Sequence, residues 1–150
     1  MTAIRLCAML VAAAMLTVPT SAAAPDTIKA RQANFKAMGK SMKLISDELK
    51  KDMPSYAVIR RESLTLERAG ARVSGFFPKG TGAEAGVKTG ARGIIWTKPA
   101  DFRTAAANLN SATRNLRLVT AGTDVGKIRA ALGATGGTCK ACHDQFRVPD

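Results

Sequence analysis

Cys139, Lys140, Ala141, Cys142 and His143 form the pattern C-x-x-C-H near the end of a 150-residue chain. Two thiols three positions apart lie near one face of a helix and can reach both vinyl groups of one porphyrin. His143 then stands under the iron and offers an imidazole nitrogen as axial ligand. A zinc site needs about four ligands. His143 is the only histidine, and the only other cysteine, Cys7, falls in a segment expected to be removed. A thioredoxin-like pair should follow a strand and open a helix, whereas this pair falls late in a helical pattern. The motif therefore predicts one covalent haem c per chain, attached through Cys139 and Cys142.

The elements that must position this motif are legible as apolar spacing. Pro25-Asp26-Thr27 opens a first helix with a capping residue. Ile28, Phe35, Met42 and Leu49 repeat at seven, Arg31, Met38 and Ile45 form a second seam, and the helix ends before Pro54. Arg31 is the odd member. A buried guanidinium needs an anionic partner, and a haem carries two propionates that an arginine fork suits. The alternative is that Arg31, near the helix start, snorkels into water. A second helix over 55–74 has the seam Tyr56, Ile59, Ser63, Leu66, Gly70 and Val73. Its small members predict close approach by a helix or a flat ligand. Arg60, Arg61, Glu62, Glu67 and Arg68 read as a solvated flank.

From Gly75 to Ile95, six glycines and Pro78 mark a long irregular crossover. Phe76, Phe77, Ile94, Ile95 and Trp96 anchor its ends, most simply as core packing. A third helix starts near Lys98 with Pro99 in its first turn. It carries Phe102, Leu109 and Leu116, beside Ala105, Ala112 and Val119, and stops at Gly122. A fourth opens at Thr123 or Asp124 with the seam Val125, Ile128, Leu132, Thr135, Cys139, Cys142 and Phe146. Both thiols then face inward. Gly133, Gly136 and Gly137 weaken a helix but let a flat macrocycle approach the backbone. The expected fold is all-α: an antiparallel four-helix bundle with a long glycine-rich crossover between helices two and three.

Residues 1–23 read as a secretory signal peptide, with Arg5, the apolar run Leu6 to Leu16, and the small residues Ser21-Ala22-Ala23 before a cut at Ala24. The run is too short to span a bilayer, and no later stretch is long and apolar enough. Cys7 lacks a lipoprotein cleavage context. Residues 24–150 are thus expected to be one soluble haem domain in the periplasm, the side on which bacteria attach haem c. The net charge is +12. Export argues against nucleic acid as partner. The basic surface suits acidic partner proteins or anionic lipid, or serves solubility alone.

Along essentially all of 24–150, the sequence resembles the class II c-type cytochromes, the cytochrome c′ family, itself a standard example of this bundle. The resemblance rests on the C-x-x-C-H on the last helix, continued as Asp144-Gln145-Phe146-Arg147. Arg31-Gln32 on helix one and Ile95-Trp96 followed by Phe102 add to it. It implies thioethers at Cys139 and Cys142, His143 as proximal ligand, Arg31 and Gln32 at the propionates, and Arg147 beside the exposed proximal face. The distal position falls on Phe35. In high-spin members an apolar residue there covers an open sixth site. In the low-spin cytochrome c-556 subgroup it is a methionine bound to iron. Phenylalanine cannot ligate, so the resemblance implies five-coordinate iron. Met38, one turn on, is either a sixth ligand or core filler.

The implied function is one-electron transfer, with nitric oxide or carbon monoxide bound at the distal face. The alternative is a low-spin Met/His electron carrier of the c-556 type without gas binding. No enzyme activity is expected, because a peroxidase-like site wants a distal acid–base histidine and the only one is used. Expected partners are acidic redox proteins and these gases. The resemblance implies a homodimer paired through the first two helices, although Lys36, Lys40, Lys43, Lys50, Lys51, Arg60 and Arg61 would repel across it unless paired.

Overall fold

The computed structural model describes residues 23–149. The expected signal peptide, with Cys7 and all but its last residue, lies outside them. The order of elements is α1 (Ala23–Glu48), α2 (Tyr56–Ala71), the short α3 (Ile94–Thr97), α4 (Pro99–Val119) and α5 (Val125–Phe146). Four of these are long and make the bundle. Among the described residues the only strand-like pairing is an isolated antiparallel bridge, Ala91 to Arg147.

The local starts and stops follow the side chains. α1 is already helical at Ala23, so Pro25 sits inside its first turn rather than ahead of it. That costs little, because the first backbone N–H groups have no intrahelical acceptor. The Ser55 hydroxyl accepts from Val58 N at 3.4 Å and opens α2. Pro99 occupies the first turn of α4. Asp124 Oδ1 accepts from Lys127 N at 3.0 Å and caps α5. α2 stops at Ala71, short of the expected 74, because the chain tightens into a 3₁₀ turn over Val73–Phe76.

The apolar seams meet in one core. Ile28, Ile45, Ile59, Leu66, Leu116 and Ile128 are fully buried, each contributing roughly 1.5–3 kcal/mol. α2 packs closely on α4. A Cβ on Gly70 would stand 2.8 Å from Thr113 Oγ1, and the hydroxyls of Ser63 and Thr120 share a 2.8 Å hydrogen bond. The small residues on α2 thus admit a helix, not a ligand. α1 meets α2 through a polar row. Asn34 donates to Ala69 O at 3.2 Å, Ser41 donates to Glu62 Oε2 at 2.7 Å, and Glu48 Oε2 accepts from Ser55 N at 2.9 Å. Glu62 therefore departs from the solvated flank assigned to it and is buried. The Ser41 hydroxyl, with help from Arg61, holds its carboxyl below the ordinary glutamate value.

Phe35, Phe77, Phe102 and Phe146 form a chain of edge-to-face contacts with centroids 6.4, 4.6 and 5.3 Å apart. This ties α1, the crossover, α4 and α5 together at the pole of the bundle that carries the C-terminal end of α5. Trp96 Nε1 donates to the carbonyls of Phe77 and Pro78, so the crossover aromatics act as core and as anchors for the loop.

Candidate functional site

α5 presents the motif from its last two turns. Cys139 and Cys142 are half-buried and pack against the core, whereas His143 is exposed. Burial raises both thiols above the ordinary cysteine value, which keeps them protonated until they react. Among the described residues no three His, Cys, Asp or Glu side chains come together as a metal site, so the pair lacks the further ligands zinc needs.

α1 faces α5 in antiparallel register. Met42 Cε lies 3.8 Å from where a Cβ on Gly136 would stand, and Arg129 donates to the Leu49 carbonyl. Equal rise along both helices then brings Phe35 level with His143. Between the two helices runs a groove of about 580 Å³ floored by Met42, Leu49, Leu132, Gly133 and Gly136. A Cβ on Gly133 or Gly137 would meet nothing within 4 Å. Both glycines are exposed and, at 3.6 residues per turn, point away from Cys139 and Cys142, so they open on solvent and do not make room for a flat group beside the thiols. Two inward thiols with an imidazole one residue on fit a covalently tethered macrocycle.

Arg31 is buried and does not snorkel. Its guanidinium donates to Phe76 O at 3.3 Å, Thr81 Oγ1 at 3.3 Å, Thr81 O at 3.0 Å and Thr89 Oγ1 at 2.7 Å. It also stacks 4.5 Å from the centre of the Phe77 ring. These four acceptors are neutral, and burial lowers the guanidinium pKa from its ordinary value. Gln32 is exposed and donates to Lys88 O at 2.9 Å. Both residues thus grip the crossover. Phe35 is half-buried against Phe77. Met38 is buried, and its sulfur accepts from Asn34 Nδ2 at 3.7 Å, on the side of α1 that faces α2. Arg147 is exposed beside Gly90, where Val148 N donates to Gly90 O at 2.8 Å and Arg92 N to Phe146 O at 3.0 Å. The crossover is so stitched to the residues just past His143.

A model of the family described as cytochrome c′ matches residues 26–147. The chain is 31% identical over 126 residues to the cytochrome c′ of Pararhodospirillum photometricum, which covers 83% of this chain and 99% of that one. It is 33% identical over 144 residues to the cytochrome c′ of Rhodospirillum rubrum, covering 93% and 97%. The chain belongs to the cytochrome c′ family. Among solved structures, cytochrome c′ from Rubrivivax gelatinosus superposes with a TM-score of 0.76 at 27% identity, covering 83% of this chain and 97% of that one. A nitric oxide complex of a leucine-to-alanine variant from Alcaligenes xylosoxidans superposes with a TM-score of 0.75 at 27% identity, covering 85% and 97%. This cytochrome c′ is accordingly a haem c protein of the electron-transfer and gas-binding class. The likeness to the low-spin c-556 subgroup gains no support.

Sequence reasoning brought Cys139, Cys142, Phe35 and Arg31 to the correct faces of their helices. It missed Thr81 and Thr89, which hold Arg31. Threonines in a glycine-rich segment carry no periodic signal. It also missed Met42 as the side chain opposite Gly136, although Met42 already stood on an inward seam.

Proposed function

We propose that this cytochrome c′ works in the periplasm as a one-electron carrier that also takes up nitric oxide or carbon monoxide. In this reading residues 1–23 are its export signal. Cys139 and Cys142 hold the haem as thioethers, His143 is the axial ligand, and Arg31 and Gln32 lie at the propionates. Arg147 flanks the exposed proximal side. Bound there, the haem supplies reversible one-electron chemistry and an open coordination position.

The chain's own residues would shape that position. The observation that carries the reading is Phe35 standing level with His143 across the seam between α1 and α5. A phenyl ring offers no ligand atom, excludes water and admits a small uncharged gas. Met38 is turned toward α2 by its contact with Asn34, which argues against a sulfur ligand. No acid–base side chain stands beside Phe35 on its helix face, which supports binding rather than catalysis.

The test is the absorption spectrum of the holoprotein, ferric and ferrous, before and after nitric oxide. A high-spin spectrum that shifts with the gas is expected. A sharp low-spin ferrous spectrum without response would mean a sixth protein ligand and a plain electron carrier.

A further inference from the structure

Lys29, Lys36 and Lys43 recur every seven residues along α1 and therefore share one face of it, and Lys50 follows at the same spacing in the turn just past its end. All four are exposed. The groove between α1 and α5 shows where that face lies, because Lys43 and Lys50 edge it on one side and Arg129 on the other. Lys140 continues the α5 edge eleven residues beyond Arg129, three turns along the same stripe, next to exposed His143. The floor between the edges is apolar, and its Met42 and Gly136 end adjoins the turn that carries Cys139.

Acids temper these edges without cancelling them. Lys29 faces Asp26, Lys140 faces Asp144, and Asp47 is shared by Lys43 and Lys50. Lys36 and Arg129 have no carboxylate partner among the described residues. Such exposed pairs are weakly held and screened by salt, so the face keeps an excess of positive charge around an apolar centre.

We infer that the α1–α5 face is the electron-entry surface of this protein, and that its partner is a redox protein presenting an acidic patch. The inference rests on the reading of the chain as a redox haem protein. Two basic edges match an acidic surface, and the apolar floor between them gives the partner a place to exclude water next to the haem-bearing turn. Complementary charge of this kind acts on encounter rate and fades with ionic strength.

The experiment uses holoprotein and two small redox probes of opposite charge, hexacyanoferrate and hexaammineruthenium. Stopped-flow rates are compared for wild type, for Lys36→Glu with Lys43→Glu and Lys50→Glu, and for a control of equal charge change on the α2–α4 face, Arg60→Glu with Arg103→Glu and Arg114→Glu. The absorption spectrum checks that each variant keeps its haem site. The α1 variant should slow hexacyanoferrate about tenfold at low salt, speed the cation, and lose both effects at high salt, with a much smaller change in the control. Equal effects from both variants would overturn the inference, since only net charge would then matter. So would an α1 variant that loses binding to phosphatidylglycerol vesicles while its hexacyanoferrate rate is unchanged, which would make the face a lipid surface. Failure of wild type to exchange electrons with either probe would instead refute the redox reading beneath it.

Discussion

Replacing Arg31 by Leu separates two roles of one side chain. Four hydrogen bonds and one ring contact are lost. The hydroxyls of Thr81 and Thr89 can turn to other partners, and Thr81 already donates to Pro78 O at 2.8 Å. The carbonyls of Phe76 and Thr81 cannot turn, and a buried orphaned acceptor costs about 1–3 kcal/mol. Loss of the stacked cation on Phe77 adds about 1 kcal/mol. Against this, Leu relieves the desolvation that lowers the guanidinium pKa. The balance is a destabilisation of about 2–4 kcal/mol, or about 10 °C in Tm for a domain of this size. Arg31→Lys should fall between, because an ammonium has no fork to reach all four acceptors. The assay is thermal unfolding of haem-free and haem-loaded protein, with hydrogen exchange followed over residues 76–89. If Arg31 chiefly grips the crossover, both forms lose stability and those amides lose protection. If only the haem-loaded form responds, its main partner is the propionate. A Leu variant that melts within about 2 °C of wild type in both forms, where about 10 °C is expected, would refute the reasoning.

Phe35→Met places a thioether level with His143; a low-spin ferrous spectrum and loss of the nitric oxide response are expected, and an unchanged high-spin spectrum would remove Phe35 from the distal position. Gly70→Ala drives a Cβ to 2.8 Å from Thr113 Oγ1; overpacking of about 1–3 kcal/mol exceeds the roughly 1 kcal/mol gained in helix propensity. A double-mutant cycle with Thr113→Ala, read by urea unfolding, should show coupling of about 1–2 kcal/mol. Glu62 has a depressed folded pKa, so its contribution is present above the ordinary glutamate value and is lost as pH falls through the folded one. The Tm gap between wild type and Glu62→Gln should therefore narrow on going from about pH 6 to about pH 3, a range that brackets the ordinary value near 4.3.

The bundle was legible because its seams are apolar and periodic, and three of the four long helices begin within a residue or two of the expected caps. The motif was legible because C-x-x-C-H has few other uses. What escaped was polar and buried. Asn34, Ser41 and Glu48 also repeat at seven, but a polar row carries no apolar signal and drew no expectation. Only the structure shows them bonded to α2. Glu62 was misjudged for the same reason: among charged neighbours nothing local distinguishes the carboxylate that turns inward to Ser41. Burial of a charge depends on a partner from another helix, and single-helix periodicity holds no information about that partner.

Arg31 carries this one step further. The seam position made its burial foreseeable, and burial seemed to demand an anion. The structure satisfies the geometry with neutral oxygens from the crossover instead, so the hydrogen bonds are met while the charge is not. A positive charge held dry by carbonyls and hydroxyls remains an attractive neighbour for an anionic group. Gripping the crossover and accepting an anion are therefore compatible demands on one guanidinium: the first orders the loop beside α1, and a propionate placed there would draw on the charge that the loop leaves unbalanced.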